Sequence, residues 1–284
     1  MKKLLSVILL IFVVLPLFAC SKGQQMEVTT IKSSETKETT QEQTELIVFA
    51  AASMTETMNQ IKDIYESKNP NIKITYNFDS SGTLLKQIVA GADCDLFISA
   101  AQKQMNQLDA TMDEKDNPDK NNFVLQGTRV NLLENKVALA VPDGNPKGIT
   151  KFLDLTTDKL SLLAIGNSDV PVGAYTLEIL NYLNKPVEEL EKNGKITYGS
   201  NVKEVTTQVK EGTVDAGIIY ATDATSANLQ VVDLATKDMC RQVIYPAAVM
   251  NTTKKESEAK KFLEYLQTDE AMKVFESVGF TKAS

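Results

Sequence analysis

Four stretches of this 284-residue chain put small or hydroxyl-bearing residues where a strand pattern gives way to a helix pattern. They are Ser53, Ser80-Ser81-Gly82-Thr83, Val170-Pro171-Val172-Gly173 and Ser200-Asn201-Val202. A helix leaves its first backbone N–H groups without partners of its own. Aimed at an anion and joined by a serine hydroxyl, such a helix start is a set of neutral hydrogen-bond donors. Each junction has a plainer explanation too, a serine that caps its helix with no ligand involved. What points to a ligand is that the arrangement recurs. Tyr220 closes an apolar strand and is either a further phenolic donor or a partly buried aromatic.

Other chemistries find less support. The chain has no histidine, which removes imidazole catalysis and imidazole metal ligation. Cys20, Cys94 and Cys240 are too scattered for a metal cluster or a disulfide scaffold. Neither arginine, Arg129 or Arg241, lies at a junction. Ser34-Glu35-Thr36-Lys37 and Ser200-Asn201-Val202-Lys203 match Ser-x-x-Lys formally, but the companion motifs of serine acyltransferases are missing. A serine-dependent hydrolase is a remote alternative. The net charge of −7 speaks against nucleic acid as a partner.

The elements that would hold the junctions alternate between strand and helix. Leu46–Phe49 reads as a strand, followed by a helix bearing Met54, Met58, Ile61 and Tyr65. Ile72–Phe78 is a strand that turns at the serines into a helix with Leu84, Leu85 and Ile88. Further strands are expected at Asp95–Ser99, Lys136–Pro142, Leu160–Ile165, Ile196–Tyr198, Asp215–Tyr220, Leu229–Leu234 and Val243–Met250. The chain closes in a helical pattern through Phe262, Leu263, Met272 and Phe275. Alternation of this kind predicts an α/β fold with mainly parallel sheets, in which ligands bind beyond the carboxyl ends of the strands. Two junctions precede the Lys136 strand and two follow it, as expected of a cleft between two lobes.

The first 45 residues read differently. Residues 1–19 have the basic start and short apolar run of an export signal. Leu17-Phe18-Ala19-Cys20 resembles the lipobox of bacterial lipoproteins, which predicts lipidation of Cys20. Residues 21–45 are polar and too poor in apolar residues to fold. As a flexible tether they would reach roughly 25–30 Å. The expected location is extracytoplasmic, on the cell membrane, held by the lipid.

Five motifs carry a resemblance to a known family. They are Val48-Phe49-Ala50-Ala51-Ala52-Ser53, Phe78-Asp79-Ser80-Ser81-Gly82-Thr83-Leu84, Ala90-Gly91-Ala92-Asp93-Cys94-Asp95-Leu96-Phe97, Val170-Pro171-Val172-Gly173 and Gly217-Ile218-Ile219-Tyr220. In this order they resemble the molybdate-binding proteins of ABC-type importers, from about residue 46 to the end. The resemblance implies a type II periplasmic-binding-protein fold with the ligand in the interlobe cleft. Lobe one would take residues 46–130 and 246–284, and lobe two 131–245, with the two crossovers as hinge. It implies molybdate or tungstate as ligand, without a cofactor, held by the Ser53 and Ser81 hydroxyls, the Val172 and Val202 amides and Tyr220. It also implies a monomer that serves a membrane permease and catalyses nothing. A receptor for another tetrahedral oxyanion, such as sulfate, is the alternative. The fold further implies that Cys94 and Cys240 are free, since each precedes a strand and the two strands run in opposite directions.

Overall fold

The computed structural model describes residues 43–284. The export signal, Cys20 and most of the tether lie outside the described residues. Among the described residues no helix is long and apolar enough to cross a membrane.

In chain order the elements are β1 (Thr44–Ala51), a short 3-10 turn (Ala52–Met54), α1 (Thr55–Lys68), β2 (Ile72–Asp79), α2 (Ser81–Val89), β3 (Leu96–Ile98) and α3 (Gln102–Asn106). Then come β4 (Val130–Asn135), β5 (Val137–Val141), β6 (Leu163–Gly166), α4 (Pro171–Tyr182), α5 (Val187–Lys192), β7 (Ile196–Gly199) and α6 (Val202–Lys210). The last are β8 (Ala216–Tyr220), α7 (Ala221–Ala227), β9 (Gln230–Leu234), β10 (Val243–Val249), α8 (Glu256–Leu266), α9 (Asp269–Glu276) and β11 (Thr281–Lys282).

They build two sheets. One has the order β11-β4-β10-β3-β1-β2, the other β7-β6-β8-β5-β9. Both are mixed, with more antiparallel pairing than the alternation predicts. β1 runs parallel to β2 and β3, and β6 to β7 and β8. The strands that adjoin the crossovers, β4, β5, β9 and β10, pair antiparallel. A chain that steps from one sheet straight into the next has no helix with which to return as a parallel neighbour. Lys136 alone separates β4 from β5. The residues expected as lobe limits, 130/131 and 245/246, therefore fall within β4 and β10, both strands of the first sheet.

Side-chain alternation shows how β1, between β3 and the edge strand β2, buries both its faces. Leu46, Val48 and Ala50 point to a core shared with Met54, Met58, Ile61 and the C-terminal Phe262 and Phe275. Phe49 faces the other way, to Leu84, Ile88, Phe97, Met105 and Leu108. A strand that buries both faces needs apolar residues at every position, as Val48 to Ala51 provide. Each large side chain buried this way contributes about 1.5–3 kcal/mol.

Cys94 and Cys240 are free, the first buried and the second half-exposed. β10 runs antiparallel to β3, with Val249 opposite Leu96 and Ala247 opposite Ile98. Cys94 thus lies where β10 ends, whereas Cys240 precedes its start. Burial pushes the Cys94 thiol up to about 12 and the Cys240 thiol up to about 11, so both are poor nucleophiles.

Candidate oxyanion site

The four junctions meet. Ser53, Ser80 and Ser81 from the first sheet's junctions line one cavity with Val170, Pro171, Val202 and Tyr220 from the second. Measured to the centre of a water-sized sphere, its space is only about 10 Å³. A sugar, amino acid or peptide is too large, and the pockets that hold such ligands run to about 300–1,000 Å³. The space is that of about one water, so even a compact tetrahedral ion needs the walls to part slightly, and it is the lining of hydroxyls and helix starts that points to an ion.

Ser81 is the first residue of α2 and is fully buried. Its Oγ accepts the Ala100 N–H at 2.9 Å, so its own hydrogen is left to donate elsewhere. Ser80 does different work. Its Oγ accepts the Thr83 N–H at 3.2 Å and lies 2.8 Å from Thr83 Oγ1, an N-cap in the ordinary sense. Gly82 lets the two halves approach each other. Gly82 N–H donates to Asp169 O at 2.9 Å, and a Cβ there would stand 2.4 Å from that oxygen. Lys86, one turn on, pairs with Asp169 at 2.6 Å.

Ser53 sits in the 3-10 turn after β1, not at a helix cap; α1 has no side-chain cap bond. Its Oγ lies 2.8 Å from the Tyr245 hydroxyl. Tyr220, the last residue of β8, is buried. Burial, with Tyr245 and Tyr175 nearby, holds its phenol well above the usual range, so it keeps its proton. That proton has only a long 3.5 Å contact with Ala100 O, and a better acceptor in the cavity would take it.

The second half contributes backbone. Val202 is the first residue of α6, capped by Asn201, whose Oδ1 accepts the Glu204 N–H. The N–H of Val202 is thus one of the unpaired first-turn donors. Val172 is the second residue of α4, and its side chain is turned wholly into the core. It is absent from the cavity wall, which its neighbours Val170 and Pro171 form. Gly173 seats this helix start against β6, since a Cβ there would meet Gly166 O at 2.4 Å.

No lysine or arginine lines the cavity. The charged group that does, Asp79, uses Oδ1 to accept the Ser80 N–H at 2.7 Å. Lys203 stands outside, 2.7 Å from Glu56 across the cleft and 3.0 Å from Asp223. Desolvation lowers its pKa, but the two carboxylates outweigh it and the ammonium is held charged. It is no general base, and Ser200 is exposed; the Ser-x-x-Lys match has no catalytic geometry. Asp223 is fully buried with the Lys203 ammonium as its close polar neighbour, and burial, opposed by Lys203, raises it to about 6. Sequence reasoning missed Tyr245, Asn135 and Asp223, which stand behind the cavity. Their signal was weak: one polar group each, inside or next to apolar runs.

Residues 46–281 match the family described as bacterial extracellular solute-binding protein. The chain belongs to that family. Its members are the solute receptors of ABC transporters, not enzymes. This solute-binding protein is 38% identical to YvgL of Bacillus subtilis, named a substrate-binding lipoprotein of an ABC transporter, over 88% of this chain and 91% of that one. It is 32% identical to the molybdate-binding protein ModA of Haemophilus influenzae, over 82% of this chain and 89% of that one. The periplasmic molybdate-binding protein of Azotobacter vinelandii has the same fold, with a TM-score of 0.72 at 20% identity, over 84% of this chain and all of that one. A protein of Synechococcus elongatus named sulfate-binding protein is 24% identical, over 77% of this chain and 66% of that one.

Proposed function

We propose that this solute-binding protein captures molybdate, and tungstate of the same shape and charge, and delivers it to the permease of an ABC importer. In this reading Ser53, Ser81, the Val172 and Val202 amides and Tyr220 hold the oxyanion between two lobes that close about the crossovers at Lys136 and before β10. The protein would work as a monomer, outside the cytoplasm, held to the membrane by a lipid on Cys20. The observation that carries the reading is the convergence of four strand-to-helix junctions on one small cavity whose wall offers hydroxyls and helix starts and no lysine or arginine. A desolvated anion needs its oxygens hydrogen-bonded, and no counter-charge is required if they are. The relatives named molybdate-binding favour molybdate.

The relative named sulfate-binding favours a second reading, a receptor for sulfate. Both ions are tetrahedral dianions, so fixed donors can separate them only by size. Calorimetric titration with molybdate, tungstate, sulfate and phosphate decides. The proposal expects tight binding of the two larger ions and weak or no binding of the others. Preference for sulfate would replace molybdate by the second reading, and no binding of any of the four would end both.

A further inference from the structure

Two buried residues behind the cavity fix which way the Ser53 hydroxyl points. Tyr245 lies in β10 and Asn135 ends β4, so both belong to the first sheet. The Tyr245 ring is wholly buried, with the Tyr220 ring 5.8 Å away and the Phe280 ring 5.2 Å away. The register of β10 against β4 shifts between Tyr245 and Pro246, the kind of irregularity that re-aims a side chain.

The direction of each hydrogen bond follows from one donor of known polarity. Lys136 N–H, a backbone group, can only donate, and it donates to Asn135 Oδ1 at 2.8 Å. The other end of that amide is therefore the NH₂. It donates to Thr222 Oγ1 at 2.9 Å and to the Tyr245 hydroxyl at 3.2 Å. Burial, with Asp223 adding to it, holds the Tyr245 phenol well above its usual range against the opposing bonds from Ser53 and Asn135, so the hydroxyl keeps its own hydrogen. That hydrogen has Ser53 Oγ, at 2.8 Å, as its acceptor. If Ser53 donated to Tyr245 instead, the Tyr245 hydrogen would be left buried and unpaired, which costs more than the bond returns.

We infer that Asn135 and Tyr245 are positioning residues that set Ser53 as a donor into the cavity. Ser53 then matches Ser81, whose Oγ accepts from the Ala100 N–H in the same manner. Both hydroxyls have one acceptor side occupied from behind and their hydrogens left for the guest. The inference rests on the oxyanion reading of the cavity and adds the orientation of its donors.

The test is a double-mutant cycle read by calorimetric titration with molybdate: Ser53→Ala, Tyr245→Phe and the pair. Tyr245→Phe frees the Ser53 rotor and is expected to weaken binding about tenfold, within the range of one charge-assisted hydrogen bond. In the Ser53→Ala background the same change should cost less than about twofold, because no hydroxyl remains to be aimed. A purely structural role for Tyr245 would give the same factor in both backgrounds. Melting temperatures of the free variants establish that each is folded. If Tyr245→Phe does not fold, Asn135→Asp takes its place with the same expected pattern, since a carboxylate there takes the Tyr245 hydrogen and leaves Tyr245 to accept from Ser53. Wild-type affinity in Tyr245→Phe, or equal losses in both backgrounds, overturns the inference while leaving the oxyanion reading intact. Failure of the wild type to bind any of the four oxyanions overturns both.

Discussion

The two halves of the cavity supply donors of different kinds. The first sheet's half offers side chains, the hydroxyls of Ser53 and Ser81, each held from behind by a buried donor. The second half offers the opening turns of α4 and α6 beside the valines Val170 and Val202, together with one phenol. A hydroxyl is lost with a single substitution. A backbone N–H survives every substitution but proline. The first half is therefore chemically fragile and the second tolerant, although both would make the same hydrogen bonds.

The largest effect expected from this difference is in the fragile half. Ser81→Ala should weaken molybdate binding by roughly ten- to a hundredfold, the value of a hydrogen bond to a charged group. Ser80→Ala should cost far less, since its Oγ serves the Thr83 N–H. Titration of both variants checks this, and equal losses would show that the wrong serine has been assigned.

In the tolerant half Val202→Ala should bind within about twofold of wild type, whereas Val202→Pro should lose about tenfold. Proline is well accepted at the first position of a helix. Asn201, at φ −149 and ψ 171, is already extended, as a residue before proline must be. Removal of the N–H is then the main change. Equal affinity of the two variants would mean that the Val202 amide is not a donor to the ligand.

Asp79 breaks the symmetry in the opposite sense, because it brings negative charge to the wall of the hydroxyl half. Asp79→Asn should tighten oxyanion binding by roughly two- to fivefold, a modest gain because the group is half-exposed and screened. Unchanged affinity would mean that the carboxylate is directed away from the guest.

The smallest effect is on stability and concerns the amide half. Asp223, one turn after Tyr220, is raised by burial from 3.8 to about 6. A carboxyl that holds its proton more tightly in the folded state favours that state fully below about 3.8 and loses the contribution as pH rises through 6. The melting temperature of Asp223→Asn relative to wild type should therefore increase between pH 4 and pH 7. A flat difference across that window would show that Asp223 is ionised throughout. The first half has a buried carboxylate as well, Asp95, but it accepts from Ile47 N–H and Thr253 Oγ1 and pairs with Lys255.

Much of the cavity was legible in the sequence, because its parts are junctions, and a junction is a local event. Strand alternation through Phe78, helical spacing from Leu84 and two serines between them place Ser81 without knowledge of anything distant. The starts of α4 and α6 were legible for the same reason. Contacts between segments far apart were not. Nothing near Gly82 indicates that Asp169 will pack on it, nor does Tyr245, inside an apolar strand, indicate that it will meet Ser53. The strand β4 escaped notice because Asn131 and Glu134 interrupt its apolar pattern at the edge where β11 pairs. Residues 187–192, which form α5, carry four charged side chains and a single buried one, Leu190, too little for a periodic signal.

The central claim is that neutral donors from both halves hold one tetrahedral oxyanion. A crystal structure of the protein with tungstate tests it most directly, because the metal's anomalous signal locates the ion independently of the refined protein. The account predicts one strong peak in the cavity, with oxygens within about 3.2 Å of the Ser53, Ser81 and Tyr220 hydroxyls and of N–H groups at the starts of α4 and α6. The contrary result is a peak among Lys136, Lys237 and Arg241, which line a larger, cationic cavity of about 130 Å³ beside the crossovers. An ion held there by lysine and arginine, with the serine cavity left without one, would contradict the account.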